Sequence, residues 1–203
     1  DEEVSRGLGD VYKRQARGEE HLLGQFTDFI IRTEFPALTS IADQRERTLA
    51  WFSEVCDRTA KLMVHWMRVG FVHGVMNTDN MSILGETIDY GPYGWLENFD
   101  PAWTPNTTDA GQRRYRYGQQ PAVAQWNLMQ LANAILPLVQ DPKPLEDALS
   151  HFVTVYEQQW QQMMASKLGL LVPRPELVER LLKLMAETET DMTILYRKLA
   201  DID

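Results

Sequence analysis

Cysteine is almost missing from this chain: Cys56 is the single one among 203 residues. No internal disulfide can staple the fold, and no cluster of thiolates can hold zinc. Such usage fits a reducing compartment, and a cytoplasmic, bacterial location is expected. Also missing is any run of about 18 apolar residues, so no membrane-spanning helix is expected. Basic side chains are in deficit, 20 Lys and Arg against 29 Asp and Glu, for a net charge of −9. Broad binding to nucleic acid or to an anionic membrane needs a basic face, so neither is an expected partner. Internal repeats and low-complexity tracts do not occur. The opening stretch "DEEVSRGLGDVYKRQ" lacks the apolar core of a signal peptide. Its "DVYKRQ" looks like a translated transposon end. Residues 1–15 are therefore expected to be a non-native or disordered tail, with 16–203 as the folded part.

What the chain does have is helical pattern. Apolar residues make up 44% of it, enough for the core of one ordinary domain. "GEEHLLGQFTDFIIRTEF" places Leu22, Leu23, Phe26, Phe29 and Ile30 at helical spacing, with Pro36 just beyond. "DQRERTLAWFSEVCDRTAKLMVHWMRVG" carries a wider stripe, with Asp43 as N-cap, Glu46 three residues on, and Gly70 as terminator. Further helices are expected in "AVAQWNLMQLANAILPLV", in "PLEDALSHFVTVYEQQWQQMMASKLGL" and in two segments between Pro175 and Ala200. Met and Trp at helical spacing are expected in the core, as is the Cys56 thiol. Between residues 92 and 121 lies a long aperiodic stretch rich in Pro, Gly, Asn and aromatics. Loops of that length are uncommon in compact domains unless they serve a function.

Against this background "HGVMNTDNMSILGETIDYGP", residues 73–92, stands out. It concentrates His73, Asn77, Asp79, Asn80 and Asp89 around short β-leaning runs. "MSIL-GE-TIDY" has the form of a tight hairpin turning at Gly85-Glu86. Such a hairpin pairs Ile83 with Ile88 on a core face and sets Asn80, Ser82 and Asp89 on the other. Asn80 and Asp89 then become diagonal neighbours, roughly 7–8 Å apart at the backbone, with converging side chains. An amide oxygen and a carboxylate suit a hard cation such as Mg²⁺, with Mn²⁺ the alternative. Asp79 is left over to serve as a base.

The arrangement resembles the catalytic centre of the protein-kinase-like fold. There a loop ends in a metal-binding Asn, and a hairpin then ends in Asp-aromatic-Gly. Asn80 matches the first, and Asp89-Tyr90-Gly91 the second. Kinases place their catalytic Asp in H-R-D-x-x-x-x-N; here that position is Val75, and the carboxylate stands at Asp79 instead. "GFVHGVMNTDNMSILGETIDYGPYGWLENFDP" and "RYRYGQQPAVAQWNL" together closely resemble the selenoprotein O family of protein adenylyltransferases.

That resemblance implies a mainly α fold, the C-terminal lobe of a kinase-like protein with one short β-hairpin at the catalytic loop. The family's glycine-rich N-terminal lobe has no counterpart in this chain, so that lobe is expected to be missing and the fragment alone inactive. By the same resemblance, the intact protein transfers AMP, or another NMP, from ATP to Ser, Thr or Tyr hydroxyls of proteins. Asp79 would accept the proton, Asn80 and Asp89 would hold the metal, and Asp89 would also contact the nucleotide. A kinase-like phosphotransferase and a non-catalytic nucleotide-binding module are the alternatives. His73 is expected to brace the loop, Asn77 and Thr78 to form turns, and "RRYR" at 113–116 to be solvated loop. His21, His65 and His151 lack ligand spacing.

Overall fold

The computed structural model describes residues 20–109 and 111–201, so the tail expected at 1–15 lies outside the described residues. Helix α1 covers Glu20–Glu34, with Glu20 in its first turn and Arg32 in its last, the arrangement that complements a helix dipole. Pro36 opens a 3-10 turn, Pro36–Ser40, that leads toward α2, Gln44–Val69. Asp43 caps α2 as expected: its Oδ1 accepts the backbone N–H of Glu46 at 2.8 Å. Gly70 ends it at φ 72°, a left-handed position glycine takes without penalty. Helices α3 (Gln120–Val139), α4 (Pro142–Lys167), α5 (Pro175–Glu187) and α6 (Met192–Leu199) follow. The fold is mainly helical with one small sheet.

That sheet is not where the turn signals put it. Strand β1, Phe71–Val72, pairs antiparallel with β2, Gly94–Trp95. The hairpin expected over 81–90 does not form, and within that range only Ser82 takes an isolated bridge position. The turn falls two residues earlier than Gly85-Glu86 implied, with Ile83 and Leu84 at its centre. Gly85 N donates to Ser82 O at 3.3 Å, and Leu84 N donates to the Ser82 hydroxyl at 3.0 Å. Gly85 thus closes the turn instead of sitting at its centre. It adopts φ 70°, and a β-carbon there would lie 2.9 Å from the Arg58 carbonyl oxygen of α2. Packing against the helix has taken the place of self-pairing. Ile83 is buried as expected, while Ile88 is only partly so.

Two compact units share the described residues: 20–62, 76–89 and 124–154 in the first, and 63–75, 90–109 with 111–123, and 155–201 in the second. In the first, the buried residues include Leu23, Ile30 and Ile31 of α1, Trp51, Phe52 and Val55 of α2, and Leu128 and Leu131 of α3. Cys56 is fully buried among them. Burial, and secondarily the neighbouring Asp57 charge, push its thiol far above the usual range, so it is an inert core group. In the second unit, Met67, Val72, Leu96, Phe99, Tyr117, Met185 and Met192 form one cluster. The Tyr117 hydroxyl donates to Met67 O at 2.6 Å, satisfying the buried carbonyl near the end of α2. Helical spacing overstated the core in places: Leu22, Phe29, Trp126 and Met129 are exposed. A stripe marks a face, but only neighbouring elements decide how wide a band is covered.

Candidate active site

The second unit holds both ends of the polar segment side by side. Besides the β1–β2 pairing, Leu96 N donates to Gly70 O at 2.8 Å. Gly74 adopts φ 85°, and a β-carbon there would stand 2.6 Å from Pro92 O. Only glycine permits that approach. Beside it, His73 is fully buried. Its ring stacks on Trp66, with centroids 5.5 Å apart and planes at 24°, and its Nδ1 accepts the Val75 N–H at 3.4 Å. Its own N–H donates to Gln120 Oε1 at 3.0 Å, while Gln120 Nε2 donates to Phe71 O at 2.9 Å. Asn106 Nδ2 donates to Gly74 O at 3.0 Å. His73 therefore occupies a bracing position within the fold.

Residues 76–89 belong to the first unit. Met76 and Met81 are buried there, and between them the chain makes a 3-10 turn, Thr78–Asn80. Asn77 caps it, its Oδ1 accepting the Asn80 N–H at 3.1 Å. From α3, Asn127 Nδ2 donates to Met76 O at 2.9 Å and reaches Met81 Sδ. The polar turn is thereby pinned at two apolar points. Asp79 lies exposed on it, with Asn80 half-buried beside it. This is how a short polar run avoids behaving as a mobile loop: buried methionines flank it and one amide grips both flanks.

Asp89 enters differently. The cross-strand geometry expected to bring it onto Asn80 does not exist; residues 86–88 approach it as irregular chain. Asp89 is exposed and sits at φ 50°, the left-handed region that Asp tolerates better than most side chains. Its carboxylate makes no hydrogen bond or ion pair with the described residues. The donors of Asn80 and Asp89 are oxygens, one neutral and one charged, the types Mg²⁺ takes while keeping several waters. Among the described residues no group of three or more His, Cys, Asp and Glu side chains gathers as a metal site.

Other polar side chains make local contacts. Asp109 organises the "RRYR" loop by accepting the N–H groups of Arg114 at 3.0 Å and Tyr115 at 2.8 Å. Arg116 is turned onto Arg113 O and Gln119 Oε1, both at 3.0 Å. His151 Nε2 lies 3.4 Å from Asp57 Oδ1.

The family model described as protein adenylyltransferase SelO matches residues 7–203. The chain belongs to the SelO family. Relatives of this SelO chain include the protein nucleotidyltransferase YdiU of Rhodopirellula baltica, 55% identical over 195 residues, covering 93% of this chain and 36% of that protein. The YdiU of Aromatoleum aromaticum is 53% identical over 191 residues, with coverages of 93% and 36%. That of Azoarcus sp. is 52% identical over 199 residues, with coverages of 97% and 38%. The chain thus spans little more than a third of the length of these relatives. Within the SelO chain, the sequence reading missed Asn106, Gln120 and Asn127, which hold the polar segment. A signal existed for Asn127: an amide inside the apolar run "AVAQWNLMQLANAIL" must find a partner when buried. Asn106 and Gln120 carry no such mark.

Proposed function

We propose that this region supplies the catalytic turn of a metal-dependent nucleotidyltransferase with a kinase-like C-terminal lobe. The intact protein would transfer AMP from ATP, or NMP from another nucleoside triphosphate, to Ser, Thr or Tyr hydroxyls of proteins. The observation that carries this is the pinned turn, which presents an exposed Asp79 beside Asn80 within the same unit as an unpaired Asp89. Membership of the SelO family supports the reaction class. Asn80 and Asp89 would hold Mg²⁺ or Mn²⁺, which when bound supplies neutralisation of the phosphate charge. Asp79 would orient the acceptor hydroxyl and take its proton as the oxygen attacks the α-phosphorus. The bond between α-phosphorus and bridging oxygen breaks, and pyrophosphate leaves with the electron pair. Proximity and alignment do most of the work in such a displacement. His73, buried and engaged by Trp66 and Gln120, positions the chain.

Val75 stands where kinases carry their catalytic Asp, which places a kinase-like phosphotransferase second. Labelled ATP separates the two in a full-length relative carrying the equivalent residues. Label from the α-phosphate is expected on protein, with none from the γ-phosphate. Protein labelled from the γ-phosphate alone would replace this reading with the phosphotransferase one. This chain by itself is expected to transfer nothing, since it spans only about a third of its relatives.

A further inference from the structure

A second feature lies wholly within the second unit and shares no residue with the segment just described. The C-terminal turns of α2 and α4 enclose an open groove of about 530 Å³. Three basic side chains line it, His65, Arg68 and Lys167, together with the amides of Gln159 and Gln162. Among the described residues, no Asp or Glu lines it, although acidic residues outnumber basic ones 29 to 20 in the chain. The Arg68 guanidinium makes no hydrogen bond or ion pair with the described residues. Lys167 Nζ donates to Arg68 O at 2.5 Å and lies 3.8 Å from the centroid of the Tyr196 ring, contacts that fix the ammonium without neutralising it. Burial, and then the like charge of Arg68, lower the Lys167 pKa to about 8. Two neighbouring cations of the same sign, one partly desolvated, with no carboxylate supplied by the groove, form an arrangement completed by an anion.

We propose that this groove binds a diphosphate group, the anion held by Arg68 and Lys167 with the glutamine amides as further donors. A planar guanidinium offers paired donors to phosphate oxygens, and an ammonium adds a point charge. A doubly charged anion relieves the repulsion between Arg68 and Lys167, which a singly charged one does only in part. The groove is open enough for free pyrophosphate or for the diphosphate of a nucleotide, and the shared chemistry is the diphosphate.

The test is calorimetric titration of the 203-residue chain with pyrophosphate, and separately with ADP, at constant ionic strength and with divalent cations chelated. Saturable binding to one site is expected. Affinity should fall about tenfold or more in Arg68→Gln and in Lys167→Gln, since charge-assisted hydrogen bonds to phosphate carry at least that factor. Lys167→Arg, which keeps the charge, should retain most of it, and Arg114→Gln should leave it unchanged. Equal affinity for the two ligands assigns recognition to the phosphates alone, and tighter ADP binding extends the site to a nucleotide. The proposal is overturned by the absence of saturable binding, by binding undiminished in Arg68→Gln and Lys167→Gln, or by an equal loss in Arg114→Gln.

Discussion

A β-carbon at position 74 would stand 2.6 Å from the carbonyl oxygen of Pro92, a contact real side chains do not make. Gly74 also has a positive φ of 85°, so alanine there meets backbone strain as well as a clash. Strain of this kind costs of order 1–3 kcal/mol, and relieving the clash must separate residue 74 from Pro92. Gly74→Ala should therefore lower the urea midpoint by an amount corresponding to about 2 kcal/mol or more, with no change expected from Gly111→Ala, where a β-carbon meets nothing within 4 Å. Equal midpoints for the two variants would show that the ends of the polar segment are not locked together at Gly74. The same logic of single atoms applies to Asp89. In the proposed function, the open carboxylate of Asp89 is what a ligand would use, which a carboxylate engaged like that of Asp109 does not offer.

At the scale of elements, Gln120 matters most. Its side chain accepts from His73 N and donates to Phe71 O, satisfying the outer backbone groups of β1 that β2 leaves open. Gln120→Leu keeps the bulk and removes both bonds, stranding two buried polar groups at about 1–3 kcal/mol each. Amide exchange at His73 should accelerate by about tenfold or more, while amides in the middle of α1 remain protected; an unchanged His73 amide would contradict the clamp. The helices, in contrast, were plain in the sequence, because their stripes, the Asp43 cap and the Gly70 stop are all local signals. The sheet was not legible, for a physical reason. Its strands are two residues each and come from positions more than twenty apart, so no alternation can mark them. "MSILGETIDY" gave a local hairpin signal that lost to close packing of Gly85 on the Arg58 backbone. Asp79 and Asn80 stood out through their match to the family motif, not through the hairpin, which does not form; the restraints from Asn106 and Gln120 come from distant chain.

For the molecule as a whole, the chain covers 36–38% of the length of its YdiU relatives. Tyr90, Tyr93 and Trp95 stand exposed around the buried Phe71, each with its ring centroid within 6.2 Å of Phe71's. Contiguous apolar surface of this kind promotes association. Sedimentation of the isolated chain should show a mass that grows with concentration, and a monodisperse monomer with one sharp unfolding transition would argue for a self-sufficient domain.

In the proposed reaction, Asp79 acts on the acceptor while Asp89 and Asn80 hold what is already bound. The most direct measurement takes nucleotide affinity and AMP transfer separately, in a full-length relative bearing the equivalents of Asp79→Ala, Asn80→Ala and Asp89→Ala. Asp89→Ala should lose metal-dependent nucleotide binding and transfer together, and Asn80→Ala should weaken both, with partial recovery at high Mg²⁺ or Mn²⁺. Asp79→Ala should bind nucleotide as the wild type does while transfer falls by about 10²–10⁴-fold, the usual effect of losing a general base. Transfer at the wild-type rate in the Asp79→Ala enzyme would contradict the account.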